Sequence, residues 1–147
     1  MDELKDTKGV SVCLNSEEEG FVESLTQKVK DFKADVCLEC VAGDMPAKIL
    51  RAMGKGATCI VYGQLSEQKI HGIQVGPLMA RDQHIQGWLL PYWLKEQGTW
   101  GTLGALKEAK RFIQHTKIAH TMPLAEAKEA IARYQENMAA GKIILKP

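Results

Sequence analysis

Apolar positions along the chain fall in short runs, and the spacing between them alternates between two periods. Residues 34–43, Ala-Asp-Val-Cys-Leu-Glu-Cys-Val-Ala-Gly, hold an apolar run bounded by Asp35 and Gly43 that is too short for a typical helix. It predicts a buried parallel strand whose glycine end opens onto a ligand crevice. Residues 57–63, Ala-Thr-Cys-Ile-Val-Tyr-Gly, repeat the pattern, and residues 85–90, Ile-Gln-Gly-Trp-Leu-Leu, offer a third strand. Residues 10–14 read as a short strand, residues 118–124 as an extended segment and residues 142–147 as a closing strand.

Between these runs the spacing is helical. Phe21, Val22, Leu25, Val29 and Phe32 recur with a period near 3.6, and Ser16 with Glu19 has capping-box spacing, so a helix is expected to start near Glu17. Asp44-Met45-Pro46 supplies a cap and an early proline for a helix over residues 47–53. Gly54-Lys55-Gly56 then precedes a strand, where a phosphate loop would follow one, and so reads as a turn. Residues 65–77 show no period and predict a loop with a solvated His71.

Farther on, Pro91-Tyr92-Trp93-Leu94 is aromatic enough to cover a pocket or a partner surface, or to pack as a satellite core. Gly98, Gly101 and Gly104 read as loop and helix-start punctuation before an amphipathic helix over residues 105–113. An alanine-rich helix over residues 125–140 is stopped by Gly141, and the charged residues 1–9 suggest a helix end or a frayed terminus. Strands alternating with helices of crossover length predict an α/β fold with a mainly parallel sheet.

Composition narrows the function classes. The 147 residues are 45% hydrophobic and 25% charged with a formal net charge of +1, which fits one domain of an ordinary globular protein and gives no basic tract for nucleic acid. No apolar run approaches the roughly 20 residues of a membrane helix. Met1-Asp2-Glu3-Leu4-Lys5 has no apolar core, so cytosol or an organelle interior is expected rather than secretion. Cys13, Cys37, Cys40 and Cys59 lie in strand-like surroundings and are expected as reduced, buried thiols. Cys37 and Cys40, three apart in a strand, should point to opposite faces and not pair.

His71, His84, His115 and His120 have no metal-ligand spacing with one another or with the cysteines, and no Gly-x-Ser-x-Gly elbow occurs. No catalytic residue and no metal-ligand set is singled out. What remains is the crevice beyond the strand ends, where Gly43 and Gly63 would let a cofactor approach the backbone closely.

Five landmarks occur in order: Val12-Cys13-Leu14-Asn15-Ser16, Leu38-Glu39-Cys40-Val41-Ala42-Gly43, Val61-Tyr62-Gly63-Gln64-Leu65-Ser66, Ile85-Gln86-Gly87-Trp88-Leu89-Leu90 and the final Gly141-Lys142-Ile143-Ile144-Leu145-Lys146-Pro147. Together they resemble the medium-chain dehydrogenase/reductase superfamily, in its zinc-independent quinone and enoyl reductase branch. The resemblance implies an NADP(H) site with Val41, Ala42 and Gly43 on the nicotinamide side, Tyr62 and Gly63 bordering the cofactor, and Trp88, Leu89 and Leu90 over the carboxamide. It implies hydride transfer to an activated alkene or quinone.

Set against that family, the chain begins near the third Rossmann strand, without the substrate domain, the Gly-rich phosphate turn or the strand that selects the ribose phosphate. The expectation is an incomplete Rossmann-like α/β fold, with residues 1–117 a partial Rossmann unit and residues 118–147 a strand-helix-strand returning toward a substrate domain. In the usual 3-2-1-4-5-6 order, residues 10–14 and residues 35–41 would be separated by a gap. Either the strands re-pair or a homo-oligomer or completing protein partner fills the gap. Two functions follow: a cofactor-domain portion of a reductase, inactive alone, or a non-catalytic structural or interaction subunit derived from one.

Overall fold

The computed structural model describes residues 9–112, 117–137 and 140–147. They fall into two compact units divided between Trp93 and Leu94. The fold is mixed α/β with short parallel strands and flanking helices, as expected.

In the first unit, helix α1 (Phe21–Phe32) leads to strand β1 (Val36–Glu39), helix α2 (Met45–Ala52), strand β2 (Thr58–Val61), the short helix α3 (Val75–Ala80) and strand β3 (His84–Gly87). The strands form one parallel sheet in the order β1-β2-β3, with Cys37 opposite Cys59 and Cys59 opposite Ile85. Helix α2 packs on α1 and on the first two strands. Pro46, Ala47, Leu50, Ala52, Met53, Ala57 and Cys59 make the core between them. Its side chains are mostly small, so helix and sheet approach closely.

Helix α1 starts at Phe21, four residues later than the sequence predicts. Ser16 and Glu19 form no capping box; Asn15 instead accepts from the Glu17 N–H at 3.1 Å, and Gly20, with φ 78°, caps the helix. An Asx turn has taken the residues meant for the first helical turn. Asp44 pairs with Lys48 at 2.8 Å and makes no side-chain cap bond, yet Pro46 sits in the first turn as expected.

Several strand expectations are corrected. Residues 10–14 form no strand, because no neighbouring strand among the described residues offers them a ladder, and Val10 and Val12 are exposed. Each sheet strand is also shorter than its apolar run, because the last residues of each run turn away into loops. β1 is not buried as predicted: Val36 is 56% and Leu38 69% exposed, whereas Glu39 is 2% exposed. Among the described residues its second edge has no partner, so the sheet has not re-paired. Helix α3, with Pro77 inside it, replaces the end of the predicted loop; His71 is exposed as expected.

Helix α4 (Leu90–Phe112) is broken at Gly98, with φ 63° and ψ −175°. Leu90 and the aromatic run 91–94 therefore open a helix, and Gly101 and Gly104 are helical; of the three glycines only Gly98 punctuates. In the second unit, strands β4 (Ile118–Pro123) and β5 (Lys142–Lys146) pair in parallel, joined by a 3-10 turn (Leu124–Glu126) and helix α5 (Ala127–Glu136). Met122 and Ala130 are its buried apolar residues. The expected strand-helix-strand is present, with a shorter helix. Expectations for residues 1–8, Ile113, His115 and residues 138–139 lie outside the described residues. Among those described, no helix is long and apolar enough to cross a membrane.

Candidate active site at the strand ends

The carboxyl ends of β1, β2 and β3 bring together most of the residues singled out in the sequence. The organiser is one that was not singled out, Glu39, the last residue of β1. Its buried carboxylate accepts from the Val41 N–H at 2.6 Å and from the Ala42 N–H at 3.0 and 3.1 Å. A carboxylate out of water is costly unless such donors surround it, so this one dictates the path of the chain beyond the strand. Ala42 and Gly43 follow with φ of 64° and 63°, a left-handed pair in which alanine is strained and glycine is not.

The loop after β2 is tied to this turn. Ser66 donates both its hydroxyl, at 2.6 Å, and its N–H, at 2.9 Å, to the Val41 carbonyl. The Leu65 N–H reaches the Cys40 carbonyl at 2.9 Å, and the His71 N–H reaches the Gly43 carbonyl at 3.0 Å. Here the two glycines have a different use from the one expected. A Cβ on Gly63 would lie 2.9 Å from the Cys40 carbonyl oxygen, and one on Gly43 would lie 3.3 Å from both Ser66 Oγ and Gln68 Oε1. Both glycines let one loop approach the other.

Ala42 and Gly43 are buried by this contact, while Val41 is half-buried and Tyr62 is 48% exposed. The Tyr62 hydroxyl is pushed above its ordinary range by a hydrogen bond with the Cys40 thiol. Trp88 follows β3, its N–H donating to the Val61 carbonyl at 2.9 Å and its ring 6.2 Å from that of Trp93. Leu89 and Leu90 are exposed beyond it. The exposed set, Tyr62, Trp88, Leu89 and Leu90, is mainly apolar and uncharged, which suits an aromatic ring better than a phosphate.

The cysteines carry no disulfide among the described residues, but only Cys59, on the central strand, is buried as expected; Cys13, Cys37 and Cys40 lie outside the central strand and are half-buried. Cys37 and Cys59 lie side by side on the buried face of the sheet. The hydrogen bond with Cys59 and burial together raise the Cys37 thiol well above its ordinary range, so it remains a neutral thiol. Among the described residues no group of three His, Cys, Asp or Glu side chains could hold a metal ion.

At the opposite, amino end of the sheet the tying residue is Gln83, again missed in the sequence. Its buried amide donates to the carbonyls of Leu50, Met53 and Gly54 at 2.8, 3.0 and 3.1 Å, closing the end of α2. Arg81 adds bonds to the Arg51 and Met53 carbonyls at 3.0 and 3.3 Å. The only sequence signals were a carboxylate inside an apolar run, for Glu39, and an amide just ahead of one, for Gln83.

The profile of the family described as zinc-binding dehydrogenase matches residues 8–145. No curated protein matches the chain. A Mesorhizobium loti protein described as a candidate NADPH:quinone reductase has a similar structure, with a TM-score of 0.79 and 27% identity over 99% of this chain and 42% of its own. CurA of Vibrio vulnificus, crystallised with NADPH, gives 0.68 and 19% over 99% of this chain and 45% of its own. A mycobacterial quinone oxidoreductase gives 0.71 and 16% over 99% and 46%. The chain thus spans less than half the length of each of these structural relatives. At the lower identities the likeness is one of fold alone.

Proposed function

The chain belongs to the zinc-binding dehydrogenase family, and from that premise we propose that it supplies the nicotinamide side of the cofactor site in an NADP(H)-dependent quinone or enoyl reductase. The observation carrying this reading is the turn of residues 40–43, locked by Glu39 and braced by Ser66 at the carboxyl ends of parallel strands. That is where open α/β sheets bind nucleotides. Val41, Tyr62, Trp88, Leu89 and Leu90 offer the ring-binding surface; Ala42, Gly43 and Gly63 set its backbone path. NADPH, when bound, supplies a hydride to an activated alkene or quinone. The described residues lack a donor set for zinc, so no step is assigned to that metal.

In this reading the phosphate-binding turn comes from a segment pairing along the free edge of β1, and the chain alone is inactive. β4, α5 and β5 face the substrate domain. NADPH titration followed by nicotinamide fluorescence tests this, with the chain alone and with the part of the Mesorhizobium loti relative outside the match. Binding is expected only in the mixture, weakened about tenfold or more by Trp88→Ala. Micromolar binding by the chain alone would overturn the incomplete-site reading.

A second reading, a non-catalytic interaction subunit, is favoured by the exposed Val36 and Leu38 on a strand whose second edge has no partner among the described residues. It is the one left standing if the mixture associates, as seen by sedimentation, without binding NADPH.

A further inference from the structure

The amino ends of the strands hold a cavity of about 500 Å³, within the roughly 300–1,000 Å³ typical of small-molecule sites. It is lined by Lys30 and Lys33 at the end of α1, by Arg51 at the end of α2, by Lys55 in the following turn and by Arg81, with Asp35 the one carboxylate. Helix ends attract cations, and that accounts for part of the set. Each of two helix termini carries about half a negative charge, so with Asp35 they leave about three positive charges uncompensated. Among the described residues no ion pair reaches any of the five cations.

Arg81 is already anchored by its bonds to the Arg51 and Met53 carbonyls, so its guanidinium is ordered without a ligand. The rest of the wall is uncharged, and much of it, Ala34, Ala52, Gly54 and Ala57, is small and leaves the cleft open. This cleft lies a full strand length, about 13 Å, from the nicotinamide end, and does not depend on the reading given to that end.

We infer that this basic cleft binds a small polyphosphate-class anion. Its concave shape favours a compact ligand over a nucleic-acid strand, and its surplus charge favours one carrying several negative charges.

Isothermal titration of the full chain with inorganic tripolyphosphate tests the assignment. Saturable binding that weakens as salt is raised is expected. Lys55→Glu should reduce affinity about tenfold or more, and Lys30→Glu, on a different element, should do the same. Lys69→Glu changes the net charge equally but lies outside the cleft, and should leave affinity within about twofold. The proposal is overturned by the absence of saturable heat or by an equal loss in Lys69→Glu. It is equally overturned if a single-stranded oligonucleotide binds more tightly than tripolyphosphate and is the ligand that Lys55→Glu releases.

Discussion

The two ends of the three-stranded sheet are finished in opposite ways. At the carboxyl end a buried carboxylate, Glu39, gathers backbone N–H groups, and two loops approach each other closely at Gly63 and Gly43. At the amino end a buried donor, Gln83, and an exposed one, Arg81, gather backbone carbonyls, and cations stand open around a cleft. An end tied by backbone geometry fixes a shape. An end rimmed by flexible cations fixes a charge.

The comparison can be broken most forcefully at Glu39. Glu39→Ala leaves two backbone N–H groups without their charged acceptor and should destabilise the first unit by about 3 kcal/mol, read as a lowered urea midpoint. A loss under about 1 kcal/mol would mean that the turn holds its shape without the carboxylate. Gly63→Ala comes next, at about 2 kcal/mol, because the added methyl meets a backbone oxygen that cannot rotate away. At the other end Gln83→Ala should cost about 1.5 kcal/mol, since carbonyls at the end of α2 can recover part of their bonding from water. The smallest effect has the opposite sign: Ala42→Gly should stabilise by about 0.5 kcal/mol, relief of left-handed strain outweighing the added freedom of the unfolded chain. If Ala42→Gly destabilises, the turn owes more to the alanine methyl than to its backbone.

The sheet and its direction were legible because three apolar runs, each followed by glycine or an aromatic pair, leave few other foldings. The same runs hid where the strands stop. Val41, Ala42, Tyr62 and Leu89 are as apolar as strand residues, and after β1 it is the hydrogen bonds of Glu39 and Ser66 that turn the chain. The burial of β1 was misread for a related reason. An apolar run reports that a strand can be covered on both faces, and Leu38 lies where the described residues provide no cover. Ser16 and Glu19 show the competition at its smallest scale, with Asn15 winning the local backbone. Gln83 has only a faint sequence signature, an amide just ahead of an apolar run, because its partners lie about thirty residues earlier and are main-chain atoms.

Gln83 also orders events in time. As the chain leaves the ribosome, α2 and β2 emerge before the amide that closes α2, so the helix must wait with a frayed end until the start of β3 arrives. The third strand therefore docks on a helix it completes, and the last turn of α2 should gain its protection against hydrogen exchange together with β3, as one cooperative unit.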